Sequence, residues 1–374
     1  MRASLLLTAV VSSAGGIVAH GIYFLTQAAY GFDDRANLWL ALALFLPYVP
    51  AALVAGALGR RFGARTVLHV TNAVMILAGL ILAIEPPAWA VWVAAPLYNG
   101  AAGVMWPLIE GYIAGGRHGP RLHRAIGAFN LTWSLTLAPA LWVVGLAGDD
   151  LAVSFGVLLA LHAVGGFAIA RLAAEPPPHN ADDAVAISPD YPRLLRSARM
   201  LVPVSYVLLD ALSPLLPGVW ARAGVDARLA PLLSSVWMMA RFGVFVVLFR
   251  WSGWRGRPMA LVVGAIALLG GFGAALAGGA VPLVAAGLVL FGMGQGTLYY
   301  QALYYGMAVG KGEVDSGGHH EAVIGLGYLG GPALALVGMA VGVPPVHAVG
   351  AVATLGVAAG LAPWARRHLS QRRA

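Results

Sequence analysis

Apolar residues run in long blocks along this chain, and polar residues gather between them. A helix needs about 20 predominantly apolar residues to cross a bilayer. Twelve runs meet that demand, near 4–29, 38–58, 67–85, 88–112, 125–147 and 151–172, then 199–219, 229–250, 258–278, 280–307, 321–342 and 345–365. None alternates with period two, which predicts helices rather than barrel strands. The first run is too long and too broken by glycine for a cleaved signal peptide, and is expected to stay as a span. The pattern predicts an all-α integral membrane protein with twelve transmembrane helices.

Composition narrows the function classes. Of 374 residues, 60% are hydrophobic and only 10% charged, with mean hydropathy +0.80. A soluble domain carries about 25% charged residues, so a water-soluble globule, a disordered chain and a nucleic-acid-binding domain are excluded. Cysteine is absent, which removes disulfides, thiolate metal sites and a cysteine nucleophile. Lysine occurs only at Lys311 while Arg, Ala and Gly abound, a skew typical of a GC-rich bacterial genome.

The net charge of +8 reads as topology. With the N-terminus cytoplasmic, external loops hold only Arg35, Arg222 and Arg228. Every other Lys or Arg outside mid-membrane falls on the cytoplasmic side. This is the positive-inside pattern; it predicts both termini inside a cell (inner or plasma) membrane and needs no nucleic-acid partner. The longest stretch between spans, rich in Pro and charge, lies at the chain's centre. It divides the sequence into residues 1–174, a cytoplasmic linker at 175–198, and residues 199–374.

The two parts echo one another. Under a shift of 193 residues, Leu97, Tyr98, Gly103, Trp106 and Tyr112 align with Leu290, Phe291, Gly296, Tyr299 and Tyr305. The same shift aligns APALWVVG from Ala138 with GPALALVG from Gly331, and the basic loop at Gly63 with that at Gly256. Two pseudo-symmetric six-helix halves in parallel repeat are a recurring plan of secondary transporters.

On these features the whole chain resembles the major facilitator superfamily. That family carries G-x-L-x-D-R-x-G-R-R/K between spans 2 and 3. Gly56, Leu58, Arg61, Gly63 and Arg65 fit this motif, while Arg60 replaces its Asp and Ala64 its first closing basic residue. Gly331–Pro332 resembles the family's kinking motif. The resemblance implies a cytoplasmic gate at the Gly56–Arg65 loop. With the Asp missing, Glu110 near the end of span 4 is expected to latch that gate by pairing with Arg60 or Arg61.

Ionisable residues at mid-bilayer are costly and usually face a partner or a cavity. Asp210 in span 7 and Arg241 in span 8 lie at similar depth and are expected either to pair or to serve as a coupling site and an anion anchor. Polar stripes at helical spacing mark a cavity wall: His20, Tyr23 and Gln27; Asn99 and Trp106; Asn130 and Trp133; Tyr206 and Ser213; Trp237; and Tyr299, Tyr300 and Gln301. These stripes fall on spans that line the cavity in the resembled fold. His319-His320-Glu321 lacks the spacing of a helical zinc site, and Glu321 suits a positive helix end. No metal or cofactor is expected.

No nucleotide-binding P-loop occurs. The expected function is therefore a monomeric secondary transporter that moves a small organic solute by alternating access, with protons as the candidate coupling ion. Uptake and efflux both fit. The rival readings are a membrane enzyme on lipid-linked substrates and a non-transporting receptor or assembly protein on the same fold. The first needs interfacial acid or histidine clusters, and the second needs a cavity stripped of polarity.

Overall fold

The computed structural model describes residues 1–84, 86–178, 188–309 and 314–371, with the backbone alone for residue 307, 314–320 and 365–371. Lys311, Arg372 and Arg373 lie outside this range, and the side chains of His319, His320, Arg366 and Arg367 are not described. Among the described residues every regular element is a helix. In chain order these are α1 (Arg2–Tyr30), α2 (Asp34–Phe62), α3 (Ala64–Ala83), α4 (Ala88–Ala114), α5 (Gly119–Ala147) and α6 (Leu151–Ala170). Then come α7 (Tyr191–Arg222), α8 (Leu229–Arg250), α9 (Met259–Leu276), α10 (Val281–Val309), α11 (Val314–Ala340) and α12 (Pro345–Gln371).

Eleven of these are long and apolar enough to cross a membrane. The remaining one, α4, is 27 residues long and carries Asn99 and Glu110 among its buried residues. Neighbouring helices sheathe it, so it needs less apolar surface than a lipid-facing helix. Large apolar side chains that point outward, such as Leu46, Leu53, Leu146, Ile266 and Leu355, supply the lipid-facing surface.

The chain reverses after α1 and α5 at two short turns, each ended by an aspartate cap. Asp33 accepts a hydrogen bond from the Ala36 amide at 2.7 Å and Asp150 from the Val153 amide at 2.9 Å, satisfying donors that a helix N-terminus leaves open. On the other face, which bears the Arg-rich loops, α7 begins at Tyr191 rather than near 199. The cause is an amphipathic first turn. Pro192 sits where a missing amide costs nothing, Leu194, Leu195 and Ala198 are buried, and Arg193, Arg196 and Arg199 face outward.

α1 packs on α4, α5 and α6, while α7 packs on α10, α11 and α12. The two six-helix groups meet where α2 lies along α11 and α5 along α8. Small residues permit the closest approaches: a Cβ on Gly145 of α5 would stand 2.6 Å from the Arg228 carbonyl oxygen and 2.0 Å from Leu232 of α8.

The first helix of each group departs from α geometry at one corresponding place. α1 loosens into a π turn over Ile17–Gly21, and α7 tightens into a 3-10 turn over Ser213–Leu215. Under the 193-residue shift these segments coincide at Ser213, which corresponds to His20. The two side chains touch, with His20 Nδ1 and Ser213 Oγ 3.2 Å apart. A contact between equivalent positions lies close to the pseudo-two-fold axis.

Candidate functional site

Between the two groups lies a cavity of about 110 Å³. Its polar and aromatic lining comes from Ser12 and His20 (α1), Phe45 and Tyr48 (α2), Tyr98, Asn99 and Trp106 (α4), and Phe129 and Trp133 (α5). The second group adds Tyr206 (α7), Arg241 (α8), Tyr299 (α10), and Glu321 and Tyr328 (α11).

Contacts between the groups flank it toward both faces. Away from the basic face, Arg222 donates to Asp34 at 2.9 Å and Trp142 Nε1 donates to Ser235 Oγ at 2.9 Å. Toward the basic face, a Cβ on Gly127 would stand 2.1 Å from the Phe249 ring, and Tyr48 hydrogen-bonds the Glu321 carboxylate.

Arg241 dominates one wall. Its residue is 1% exposed. The guanidinium carbon lies 4.2 Å from the Trp133 ring centre and 4.6 Å from that of Trp237. Nη1 donates to Gln295 Oε1 at 3.3 Å, while Nε and Nη2 have no hydrogen-bond partner. The expected pair with Asp210 is not formed. Both Asp210 oxygens lack a hydrogen-bond partner, and Tyr23, Tyr206 and Tyr328 are the groups within its electrostatic reach. Succession along the chain does not make α7 and α8 neighbours at these positions: α7 packs on α10, α11 and α12, and α8 on α5 and α10, so Arg241 turns to the α5 wall while Asp210 lies outside the lining.

Another part of the lining is acidic. Glu321 lines the cavity and is held by Tyr48. Glu110 of α4, 2% exposed, has Glu321 as its charged neighbour. Its oxygens have no hydrogen-bond partner of good geometry. The latch to Arg60 or Arg61 is therefore absent in this conformation, because both arginines are exposed on the outer surface while Glu110 points inward. Arg61 instead lies over the Phe62 ring, 5.1 Å from its centre.

The loop itself is anchored elsewhere. Gly56 is buried, and Gly63 adopts φ +85°, a conformation that favours glycine. The Ala64 amide donates to Glu175 Oε1 at 3.1 Å, and Arg65 Nη1 donates to the Leu172 carbonyl at 3.2 Å. Glu175 thus supplies an acidic group at the α3 N-terminus, where a carboxylate is favoured.

Of the expected cavity residues, His20, Asn99, Trp106, Trp133, Tyr206 and Tyr299 reach the lining. Others form a layer behind it. Trp237 backs Arg241 and meets the His20 ring at 5.3 Å. Asn130 Oδ1 accepts from Trp133 Nε1 at 3.0 Å, and Ser213 meets His20. Tyr23 is buried with its hydroxyl unpartnered. Three lie apart from the cavity: Tyr300 packs on Phe245 and Trp254, Gln301 Nε2 donates to the Thr297 carbonyl, and Gln27 sits only partly buried near the end of α1.

Among the polar lining residues, the stripes missed Ser12, Tyr48, Tyr98, Glu321 and Tyr328. Two signals were available. Glu321 and Tyr328 are seven residues apart on one helical face, and Tyr48 is the counterpart of Arg241 under the 193-residue shift. No group of three metal-ligating side chains occurs among the described residues.

A family model described as Major Facilitator Superfamily matches residues 5–312. No curated protein sequence matches the chain. Among solved structures, a single-residue variant of the nucleoside transporter NupG superposes with TM-score 0.69 at 14% identity, covering 96% of this chain and 98% of that one. NupG itself gives 0.66 at 13% identity, covering 97% and 99%. FucP, a Major Facilitator Superfamily transporter in the outward conformation, gives 0.61 at 14% identity, covering 96% of each chain.

Proposed function

We propose, for a chain that belongs to the major facilitator superfamily, a secondary transporter that carries a small organic solute through the central cavity by alternating access. The observation that carries this reading is the cavity's position. It lies between two six-helix groups, which touch one another on either side of it, and both Arg241 and Glu321 line it. Opening either end requires only that one set of these contacts separate as the groups rock. The Arg-rich face is cytoplasmic in this reading, with both termini inside, in accord with the positive-inside rule.

Proton coupling has a physical basis at Glu110 and Glu321. They sit on α4 and α11, which belong to different groups. Two ionised carboxylates side by side repel, while a pair holding one proton can share a hydrogen bond. Uptake of a proton would therefore favour the closed basic face, and its loss would favour separation. Tyr48 of α2 faces the pair directly, and Tyr299 of α10 lies within its electrostatic reach.

The test is solute flux into proteoliposomes with and without a pH gradient. Gradient-stimulated flux is expected in the wild-type protein. Glu321→Gln should keep solute exchange at equilibrium but lose the stimulation. Stimulation that survives Glu321→Gln and Glu110→Gln but vanishes in Asp210→Asn would move the coupling site to α7.

A further inference from the structure

We infer that the solute is a small organic monoanion, a carboxylate attached to a planar apolar body, with the carboxylate seated on Arg241. This rests on the transport reading above and names the solute class for that cavity.

The argument starts from the guanidinium. A fully buried cation is costly unless it is paired and hydrogen-bonded. Arg241 has no carboxylate partner among the described residues; its single protein acceptor is the neutral amide of Gln295. The faces of Trp133 and Trp237 return part of the cost through cation–π contact. They leave the hydrogen-bonding edge unused.

The geometry of that edge is specific. Nε and Nη2, the two nitrogens without partners, lie on the same side of the guanidinium plane's outline. Their N–H bonds run parallel, in the spacing that matches the two oxygens of one carboxylate. Nη1, on the other edge, is the nitrogen already bonded to Gln295. The protein has therefore occupied the end-on position and left the side-on fork open, in a side chain that lines the cavity.

The remaining wall fixes the rest of the solute. Trp133, Tyr206, Tyr299 and Tyr328 border the cavity near Arg241. Trp133 and Tyr299 meet edge to face at 5.1 Å, as do Tyr206 and Tyr328 at 5.0 Å. Such surfaces favour a flat apolar group. One cation matches one negative charge. A phosphate dianion would bring a second charge into a cavity that Glu321 also lines, where like charge repels it.

The experiment is ligand titration of the purified full chain in detergent, followed by the tryptophan fluorescence that Trp133 and Trp237 report. Benzoate, phenylacetate and nicotinate are each compared with the matching amide, with benzylamine as the cation and phenyl phosphate as the dianion. At least one carboxylate is expected to bind tenfold or more tightly than its amide, the benzylamine and the phenyl phosphate. In Arg241→Gln that preference should fall to within threefold, and Arg241→Lys, which keeps the charge but not the fork, should restore it partly.

Equal binding of every carboxylate and its amide by the wild-type protein overturns the inference, and this comparison needs no variant to fold. Preference for benzylamine or phenyl phosphate overturns it too. Failure of the transport reading is separate. A carboxylate that binds but never crosses a proteoliposome membrane, in exchange or net flux, leaves the anion site standing and removes transport. Flux of neutral solutes alone leaves transport standing and removes the anion.

Discussion

His162, buried among the helices, has both ring nitrogens hydrogen-bonded, and these bonds fix its tautomer. Asn72 Nδ2 donates to the His162 carbonyl at 3.1 Å, which orients the amide, so Asn72 Oδ1 must accept from Nδ1 at 2.9 Å. Nε2 is then the acceptor for the Tyr98 hydroxyl, also at 2.9 Å. The network ties α3, α4 and α6 together and ends at the cavity through Tyr98. Tyr98→Phe removes one bond and should lower stability by about 1 kcal/mol. His162→Leu strands both Asn72 Oδ1 and the Tyr98 hydroxyl, at about 1–3 kcal/mol for each. Thermal unfolding in detergent should rank His162→Leu well below Tyr98→Phe; equal melting temperatures would show that the bonds do not act together. At this scale the sequence is unevenly legible. Arg241 is a mid-span charge visible to anyone, yet its partners, Trp133 on α5 and Gln295 on α10, are not local to it. Glu321 suited a helix start on sequence grounds, and only its contact with Tyr48 makes it part of a cavity wall.

At the scale of the element, α5 and α8 form the seam that must open and close. Gly145 allows it to close on the face away from the arginines, with a Cβ there only 2.0 Å from Leu232. Gly145→Leu is therefore expected to hold that end apart. The chain has no cysteine of its own, so one introduced at Ser12 in the cavity lining reports access without background. In the Gly145→Leu protein, Ser12→Cys should react with a membrane-impermeant maleimide added from that face, several-fold faster than in the parent. An unchanged rate would mean that the seam closes by another route. The elements were largely legible because twenty apolar residues in lipid have one low-energy conformation, the hydrogen-bonded helix. Two departures had local causes: the amphipathic first turn of α7, and the lower apolarity of α4, whose polar residues face inward.

For the whole molecule, alternating access predicts that locking one end stops transport. Arg222 and Asp34 belong to different six-helix groups and touch at 2.9 Å, with the arginine side chain 63% exposed. Such a pair contributes about 0–1 kcal/mol, so replacing both residues with cysteine should leave the fold intact. Bridging Asp34→Cys and Arg222→Cys with a short cleavable cross-linker should abolish flux, and cleaving the linker should restore it. Flux that persists through a completed cross-link would argue against rocking at that end. The orientation has its own check. Cysteines replacing Arg35 and Arg257 should label from opposite sides of intact cells, Arg35→Cys from outside.

The sequence by itself determined the solvent, the number of spans, their order and their two-fold repeat. It could do so because the bilayer acts on each segment separately: length, apolarity and flanking charge are properties of about twenty neighbouring residues. Only the tertiary structure decided which buried charges meet. Asp210 and Arg241 do not meet, and Glu110 faces Glu321 rather than Arg60. Those outcomes depend on how each helix is rotated and on which helices approach across the seam. Packing among residues from all parts of the chain sets that rotation, as the contact between His20 and Ser213 illustrates, and no local pattern in the sequence encodes it.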